Sequence, residues 1–187
     1  MFIEPNIKGE RRGWIEVICG SMFSGKTEEL IHRVRTASAA SGKALLFKPA
    51  LDDRYATHEI VSHDDTRAAC TPVGDPEEIL LLADGATIVG IDEAQFLSPA
   101  LVSVAAKLAT GGTRVIIAGL DMDFRGRPFG PMPALMALAE EVYKLKAVCT
   151  LCGRPAGYSH RRSAEEATIL IGEAALYEPR CRGCFEV

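Results

Sequence analysis

The sequence predicts an α/β protein, a mostly parallel sheet with helices on both faces, followed by a small cysteine-bearing appendage. Three observations predict it. Short apolar runs alternate with stretches of helical spacing along most of the 187 residues, the pattern of strands joined by crossover helices. A glycine-rich turn separates the first apolar run from the first helical stretch. Beyond residue 148 the Leu-rich helical pattern stops and paired cysteines, Gly and Arg take over.

The elements follow in order. Residues 1–13, with Lys8, Arg11 and Arg12, read as a polar tail. Trp14-Ile15-Glu16-Val17-Ile18-Cys19 reads as a buried strand. Residues 28–40 read as a helix, with Leu30, Ile31 and Val34 at helical spacing. Lys43-Ala44-Leu45-Leu46-Phe47-Lys48 is a second strand, stopped by Pro49. The polar stretch 50–71 holds a short hairpin around Ile60-Val61-Ser62 and Ala68-Ala69-Cys70. Asp75-Pro76-Glu77-Glu78 starts a helix: Asp caps it, Pro takes the first helical position, and the acids face its positive end.

Residues 86–91 form a continuous apolar run, as expected of a strand covered on both faces. Ser98-Pro99 opens a helix through Leu101, Val104, Ala105 and Leu108, ended by Gly111-Gly112. Residues 113–119 are another buried strand. A loop rich in Gly, Pro and Arg runs over 120–133, a short helix over 134–139, and a last, alternating strand over 141–148. The expected division is a tail (1–13), an α/β domain (14–148) and a cysteine-bearing domain (149–187).

Composition narrows the class. The apolar share of 48% supports a full core, and the net charge of −4 comes without a long basic block. That argues against a nucleic-acid binder, whose footprint is a basic patch. No apolar run is long enough to span a membrane, and the first residues lack a secretory apolar segment. The expectation is a cytoplasmic protein, whose six cysteines are ligands or core residues rather than disulfides.

The turn after the first strand reads Gly20-Ser21-Met22-Phe23-Ser24-Gly25-Lys26-Thr27. Gly, four residues, then Gly-Lys-Thr is a phosphate-binding loop, which makes the expected sheet a P-loop (RecA-like) one. Successive backbone N–H groups closed by a helix N-terminus form a nest for phosphate oxygens. Lys26 is expected to reach the β- and γ-phosphates of a nucleotide, and the Thr27 hydroxyl to bind Mg²⁺. A second site is expected where the apolar run 86–91 ends in Asp92-Glu93-Ala94-Gln95. Ligands of a parallel sheet sit at the carboxyl ends of its strands. Adjacent residues leaving a strand point different ways, so Asp92 can face Mg²⁺ while Glu93, as general base, faces the attacking hydroxyl or water.

Cys149-Thr150-Leu151-Cys152 and Cys181-Arg182-Gly183-Cys184 are two C-x-x-C knuckles. Four thiolates fit a tetrahedral structural Zn²⁺ with no open position. The spacer between them exceeds the usual ribbon spacing of roughly 15–20 residues. Two short strands and a loop, pinned at both ends by one metal, could close over a ligand like a lasso. Cys19 reads as a core residue, and Cys70 is left over. His32, His58, His63 and His160 share no metal spacing and read as surface or hydrogen-bonding residues.

Together these motifs resemble the type II (cellular and poxvirus-type) thymidine kinase family, from about Ile15 to Cys184. Met22-Phe23-Ser24-Gly25-Lys26-Thr27 is similar to the family's loop, and Asp52-Asp53-Arg54-Tyr55 to its phosphate-contacting Asp-x-Arg-Tyr segment. Ile91-Asp92-Glu93-Ala94-Gln95-Phe96 matches its Ile-Asp-Glu-x-Gln-Phe, and residues 119–126 look like the bacterial form of its Leu-Asp-x-x-Phe loop. The resemblance implies ATP-dependent phosphorylation of the thymidine, and deoxyuridine, 5′-hydroxyl. It implies Glu93 as proton acceptor, and Asp52, Arg54 and Gln95 with the phosphate loop around the nucleotide. It also implies Phe124 beside the base, and Thr168, Ile169, Leu170, Ile171, Gly172 and Tyr177 along the nucleoside pocket. A homotetramer and feedback inhibition by thymidine triphosphate are implied too. Two departures stand out: Ser21 where many members have Pro, and Asp53 in place of a frequent Thr.

Arg125 and Arg127 could steady a transferring phosphoryl group or be solvated loop residues, and Arg161-Arg162 reads as a charged surface. The main alternative is a zinc-ribbon P-loop ATPase acting on nucleic acid. A non-catalytic nucleotide-binding protein is opposed by the intact Lys26, Thr27, Asp92 and Glu93.

Overall fold

The structure is a computed structural model that describes residues 13–51, 59–61, 67–162 and 176–186. Asp52, Asp53, Arg54, His58, His63, Thr168, Ile169, Leu170, Ile171 and Gly172, together with residues 1–12 of the tail, lie outside the described residues.

Six parallel strands form the main sheet, in the order β5-β2-β6-β7-β1-β8. They are β1 (Trp14–Gly20), β2 (Ala44–Pro49), β5 (Thr71–Val73), β6 (Ile88–Ile91), β7 (Arg114–Gly119) and β8 (Glu141–Leu145). The expected hairpin is β3 (Glu59–Val61) antiparallel to β4 (Arg67–Ala69). Helix α1 (Lys26–Ser41) covers one face, where Leu30, Ile31, Val34 and Ala37 pack with Ile18, Leu46, Ile88, Ile116 and Ala118. Helices α2 (Glu77–Leu82), α3 (Ala100–Thr110) and α4 (Met132–Leu138) cover the other, with Ile79, Leu101, Val104, Met132 and Leu135 against Val17, Val89, Val115 and Ile117. Residues alternating along β1, β6 and β7 divide between the two layers, as period-two geometry requires.

Local chemistry sets the boundaries. Helix α1 begins at Lys26, two residues before the expected start, because Gly25 (φ 83°) turns the loop directly into the helix. At α2 the Asp75 carboxylate accepts from the Glu77 amide and Glu78 accepts from the Asp75 amide, both at 2.9 Å, a reciprocal cap. Helix α4 starts at Met132 rather than 134, with Pro133 in its first turn, where proline's missing donor costs nothing.

One strand adds to the sequence reading and one reading needs correction. Thr71–Val73 is a sheet strand, although it holds Pro72; it lies at the sheet edge, where a missing donor is tolerated. The single strand expected over 141–148 is two. β8 ends at Leu145, and β9 (Ala147–Val148) leaves the main sheet to pair antiparallel with β10 (Pro155–Ala156). A third small pair is β11 (Tyr158–Arg161) with β12 (Tyr177–Arg180).

Buried charge braces the sheet. The Glu16 carboxylate accepts from Arg114 Nε (2.6 Å), Arg33 Nη1 (2.8 Å) and Trp14 Nε1 (2.8 Å). Burial pushes its pKa up, but these donors outweigh burial and leave it below the ordinary value.

Candidate active site

The sheet order brings the expected parts to one edge. β1 runs into the phosphate loop and β6 into Asp92, with β7 between them, so all three open at their carboxyl ends. Gly20 has φ 143°, and a Cβ there would sit 2.5 Å from the Leu145 carbonyl oxygen, so the tight turn out of β1 requires glycine. Lys26 Nζ donates to the Ser21 carbonyl at 2.8 Å across the loop. Desolvation lowers its pKa, while the charges of Glu93, Asp92 and Asp121 work to keep it protonated.

Thr27 Oγ1 lies 3.4 Å from Asp92 Oδ1, which also accepts from the Glu93 amide at 2.9 Å. Asp92 is buried, and burial, then the Glu93 charge, pushes its carboxyl up to about 7. A hydroxyl beside a carboxylate short of positive charge is an oxygen donor set suited to Mg²⁺. Ser24 Oγ and Asp121 Oδ1 are buried without a hydrogen-bond partner among the described residues, as expected of atoms awaiting a polar ligand.

Among the described residues, Phe23 and Glu93 are the non-glycine residues with positive φ (63° and 49°). Both belong to the site, where backbone strain tends to concentrate. Gln95 holds Glu93: its Nε2 donates to Glu93 Oε2 at 2.5 Å, while Gln95 Oε1 accepts from the Leu120 amide at 2.9 Å. Gln95, expected near the nucleotide, is thus a buried clamp between the two strand ends. Asp121 forms an ion pair with Lys144 at 2.5 Å. Asp123 Oδ1 accepts from the Arg125 and Arg127 amides, both at 2.9 Å, and so shapes the loop that carries Phe124. Cys19 is buried, its thiol pushed up to about 11 by burial and Asp121, as suits a core residue.

The four knuckle cysteines come together, with every Sγ within 4.8 Å of the others. Zn–S bonds of about 2.3 Å imply sulfur separations of about 3.8 Å, so the set fits a tetrahedral ion. Burial opposes ionisation of Cys149, but the amides of Cys181, Cys152 and Leu151 bring it down to about 6. Cys184, sharing protons with Cys152 and Cys181, is pushed up to about 12. Four neighbouring thiolates need a cation to hold their charge together.

Arg161 corrects the surface reading. It is buried, its Cζ is 3.7 Å from the centroid of the Phe124 ring, and its Nε and Nη2 donate to Tyr177 Oη at 3.0 and 2.6 Å. It therefore joins two residues expected to line a pocket. The pattern of β11 carries a signal for this: Ser159 and Arg161 alternate with Tyr158 and His160, so period two puts them on one, buried, face. Arg162 is exposed.

A glycine-bounded loop with its lysine, a hydroxyl–carboxylate pair and a second carboxylate held by Gln95 meet on a P-loop-like α/β sheet, and four cysteines cluster beside them; this is the architecture of a P-loop enzyme. The sequence model of the family described as thymidine kinase matches residues 13–185. A thymidine kinase of Rhodothermus sp. (strain ITI 518) is 55% identical over all of this chain and 88% of its own length. Thymidine kinases of Bacteroides fragilis and Bacteroides thetaiotaomicron are 52% and 53% identical, over 100% and 99% of this chain and 94% of theirs. The chain belongs to the thymidine kinase family, and phosphorylation of a nucleoside is its class of reaction. No described helix is long and apolar enough to cross a membrane.

Proposed function

We propose that this chain transfers the γ-phosphoryl group of ATP to the 5′-hydroxyl of thymidine, and of deoxyuridine, giving the monophosphate in nucleoside salvage. The observation that carries the reading is the meeting of Lys26, the Thr27–Asp92 pair and the Gln95-clamped Glu93 at one sheet edge.

Lys26 exchanges its bond to the Ser21 carbonyl for oxygens of the β- and γ-phosphates. Loop amides from Ser21 to Thr27 cradle the phosphates, with Asp52 and Arg54 beside them. Thr27 and Asp92 would hold Mg²⁺, which when bound neutralises phosphate charge. Glu93 accepts the proton of the 5′-hydroxyl as that oxygen bonds to the γ-phosphorus and the bond to the β-γ bridging oxygen breaks. Such transfer asks mainly for in-line positioning and charge stabilisation, and the Gln95 clamp supplies the first for Glu93. Phe124, Tyr177 and residues 168–172 surround the base, with Arg161 fixing the two aromatic rings. Residues 14–148 carry the nucleotide, and the zinc-held residues 149–187 carry the nucleoside. The same reading includes a cytoplasmic homotetramer, inhibited by thymidine triphosphate, that needs no nucleic acid.

A panel of deoxynucleosides with ATP and Mg²⁺, with products resolved by chromatography, tests this. Thymidine and deoxyuridine should yield monophosphate and ADP in equal amounts. Free phosphate released on addition of DNA, without monophosphate, would contradict it.

A further inference from the structure

We propose that the cysteine-held module braces the phosphate loop, so that metal at Cys149, Cys152, Cys181 and Cys184 and the Ser159 hydroxyl set the affinity for triphosphate. This rests on reading the loop as an ATP site, but it assigns the metal centre a role on the nucleotide side of the cavity as well as the nucleoside side.

Three contacts carry it. The Met22 amide, inside the loop, donates to Ser159 Oγ at 3.0 Å, and Ser159 is 4% exposed. The Ser21 hydroxyl donates to the Ala156 carbonyl at 3.5 Å. Phe23 packs against the small core of Ala147, Cys149, Ala156 and Cys181, two of which are metal-site cysteines. The loop is thus tied to the module by three consecutive residues.

The backbone shows why ties are needed. Phe23 has φ 63°, a conformation disfavoured for a bulky side chain, and such a residue persists only where surrounding contacts over-determine it. Its neighbours form a core of four buried residues, too few to hold themselves without a staple. Metal is that staple: with the knuckles loosened, Phe23 loses the surface that stabilises its turn, and β11 no longer presents Ser159 to Met22. The nest amides then sample other directions before phosphate can bind, which lowers apparent affinity by the fraction of competent loop.

The test is ATP binding by calorimetry, with excess Mg²⁺ and no nucleoside, on the full chain. Wild type is compared zinc-loaded and after metal removal under reducing conditions, with zinc content measured. Metal removal should weaken ATP binding at least about tenfold. Because that protein can also lose its fold, two variants are measured zinc-loaded. Ser159→Ala should weaken ATP binding about fivefold, the value of one hydrogen bond, and raise KM for ATP while KM for thymidine stays constant. Phe23→Gly, which tolerates the positive φ but lacks the ring, should also bind ATP more weakly. Zinc-loaded Ser159→Ala and Phe23→Gly binding ATP within twofold of wild type would overturn the inference while leaving the proposed function intact. Zinc-loaded wild type that binds no ATP would overturn both.

Discussion

Asp92→Asn should stabilise the Mg²⁺-free protein above neutral pH while removing its use of the cation. The carboxyl is pushed from 3.8 to about 7, first by burial and then by the Glu93 charge; the Glu93 amide, Thr27 and Lys26 only partly offset this. Between those two values the folded state binds a proton that the unfolded chain has released, so stability falls as pH rises and levels off above pH 7. At about 1.4 kcal/mol per pH unit the full effect is about 4 kcal/mol, of which more than half falls between pH 5 and pH 8. The asparagine side-chain oxygen can still accept from the Glu93 amide and carries no charge. The variant's advantage over wild type should therefore grow across that interval. For a chain of this length the growth corresponds to a rise of about 7 °C in relative Tm. Calorimetric melting of zinc-loaded protein in Mg²⁺-free buffer at pH 5, 6.5 and 8 measures it. Adding Mg²⁺ with nucleotide should raise the Tm of wild type more than that of the variant. A Tm difference that stays constant from pH 5 to pH 8 would refute a carboxylate kept short of positive charge.

Other outcomes follow from the same geometry. Glu93→Gln should lower turnover by about 10²–10⁴-fold with ATP affinity retained in a binding titration, and undiminished turnover would remove Glu93 as the proton acceptor. Glu16→Gln should cost about 3 kcal/mol at pH 7, because Arg33 and Arg114 lose a buried partner. The Glu16 pKa is lowered in the fold, so wild type should lose this contribution as pH falls below about 4.5, and variant and wild-type denaturant midpoints should converge there. Arg161→Leu should raise KM for thymidine about tenfold by freeing Phe124 and Tyr177, a cost set by charged hydrogen bonds, with ATP binding in the absence of nucleoside unchanged.

The parts of the site governed by short-range chemistry were legible. The turn from Gly20 to Gly25 that joins β1 to α1 is implied by the spacing of its glycines and lysine, and the apolar run ending at Asp92 had to stop at the sheet's carboxyl edge once its neighbours were parallel. The two cysteine knuckles converge because each tight turn offers two sulfurs. What stayed hidden depends on contacts distant in sequence. Gln95 clamps Glu93 only because Leu120, 25 residues on, supplies the other half of the bond. Arg161 next to Arg162 looks like surface charge; burial between Phe124 and Tyr177 separates the two. Alternation over 141–148 cannot show that the chain changes partners at Lys146, since both pieces keep the period of two. Thr71–Val73 is too short for any periodicity, and Pro72 argues locally against a strand that the sheet edge accepts.

The proposed reaction requires the lysine loop, the acidic strand end and the metal-held module to enclose one cavity in which a nucleoside hydroxyl meets a nucleotide. A crystal structure with a non-hydrolysable ATP analogue, Mg²⁺ and thymidine tests it most directly. The 5′-oxygen of thymidine should lie within about 2.6–3.2 Å of a Glu93 carboxylate oxygen and in line with the γ-phosphate, with Lys26 released from Ser21. Thymidine bound away from Glu93, or triphosphate seated outside the loop from Gly20 to Thr27, would contradict it.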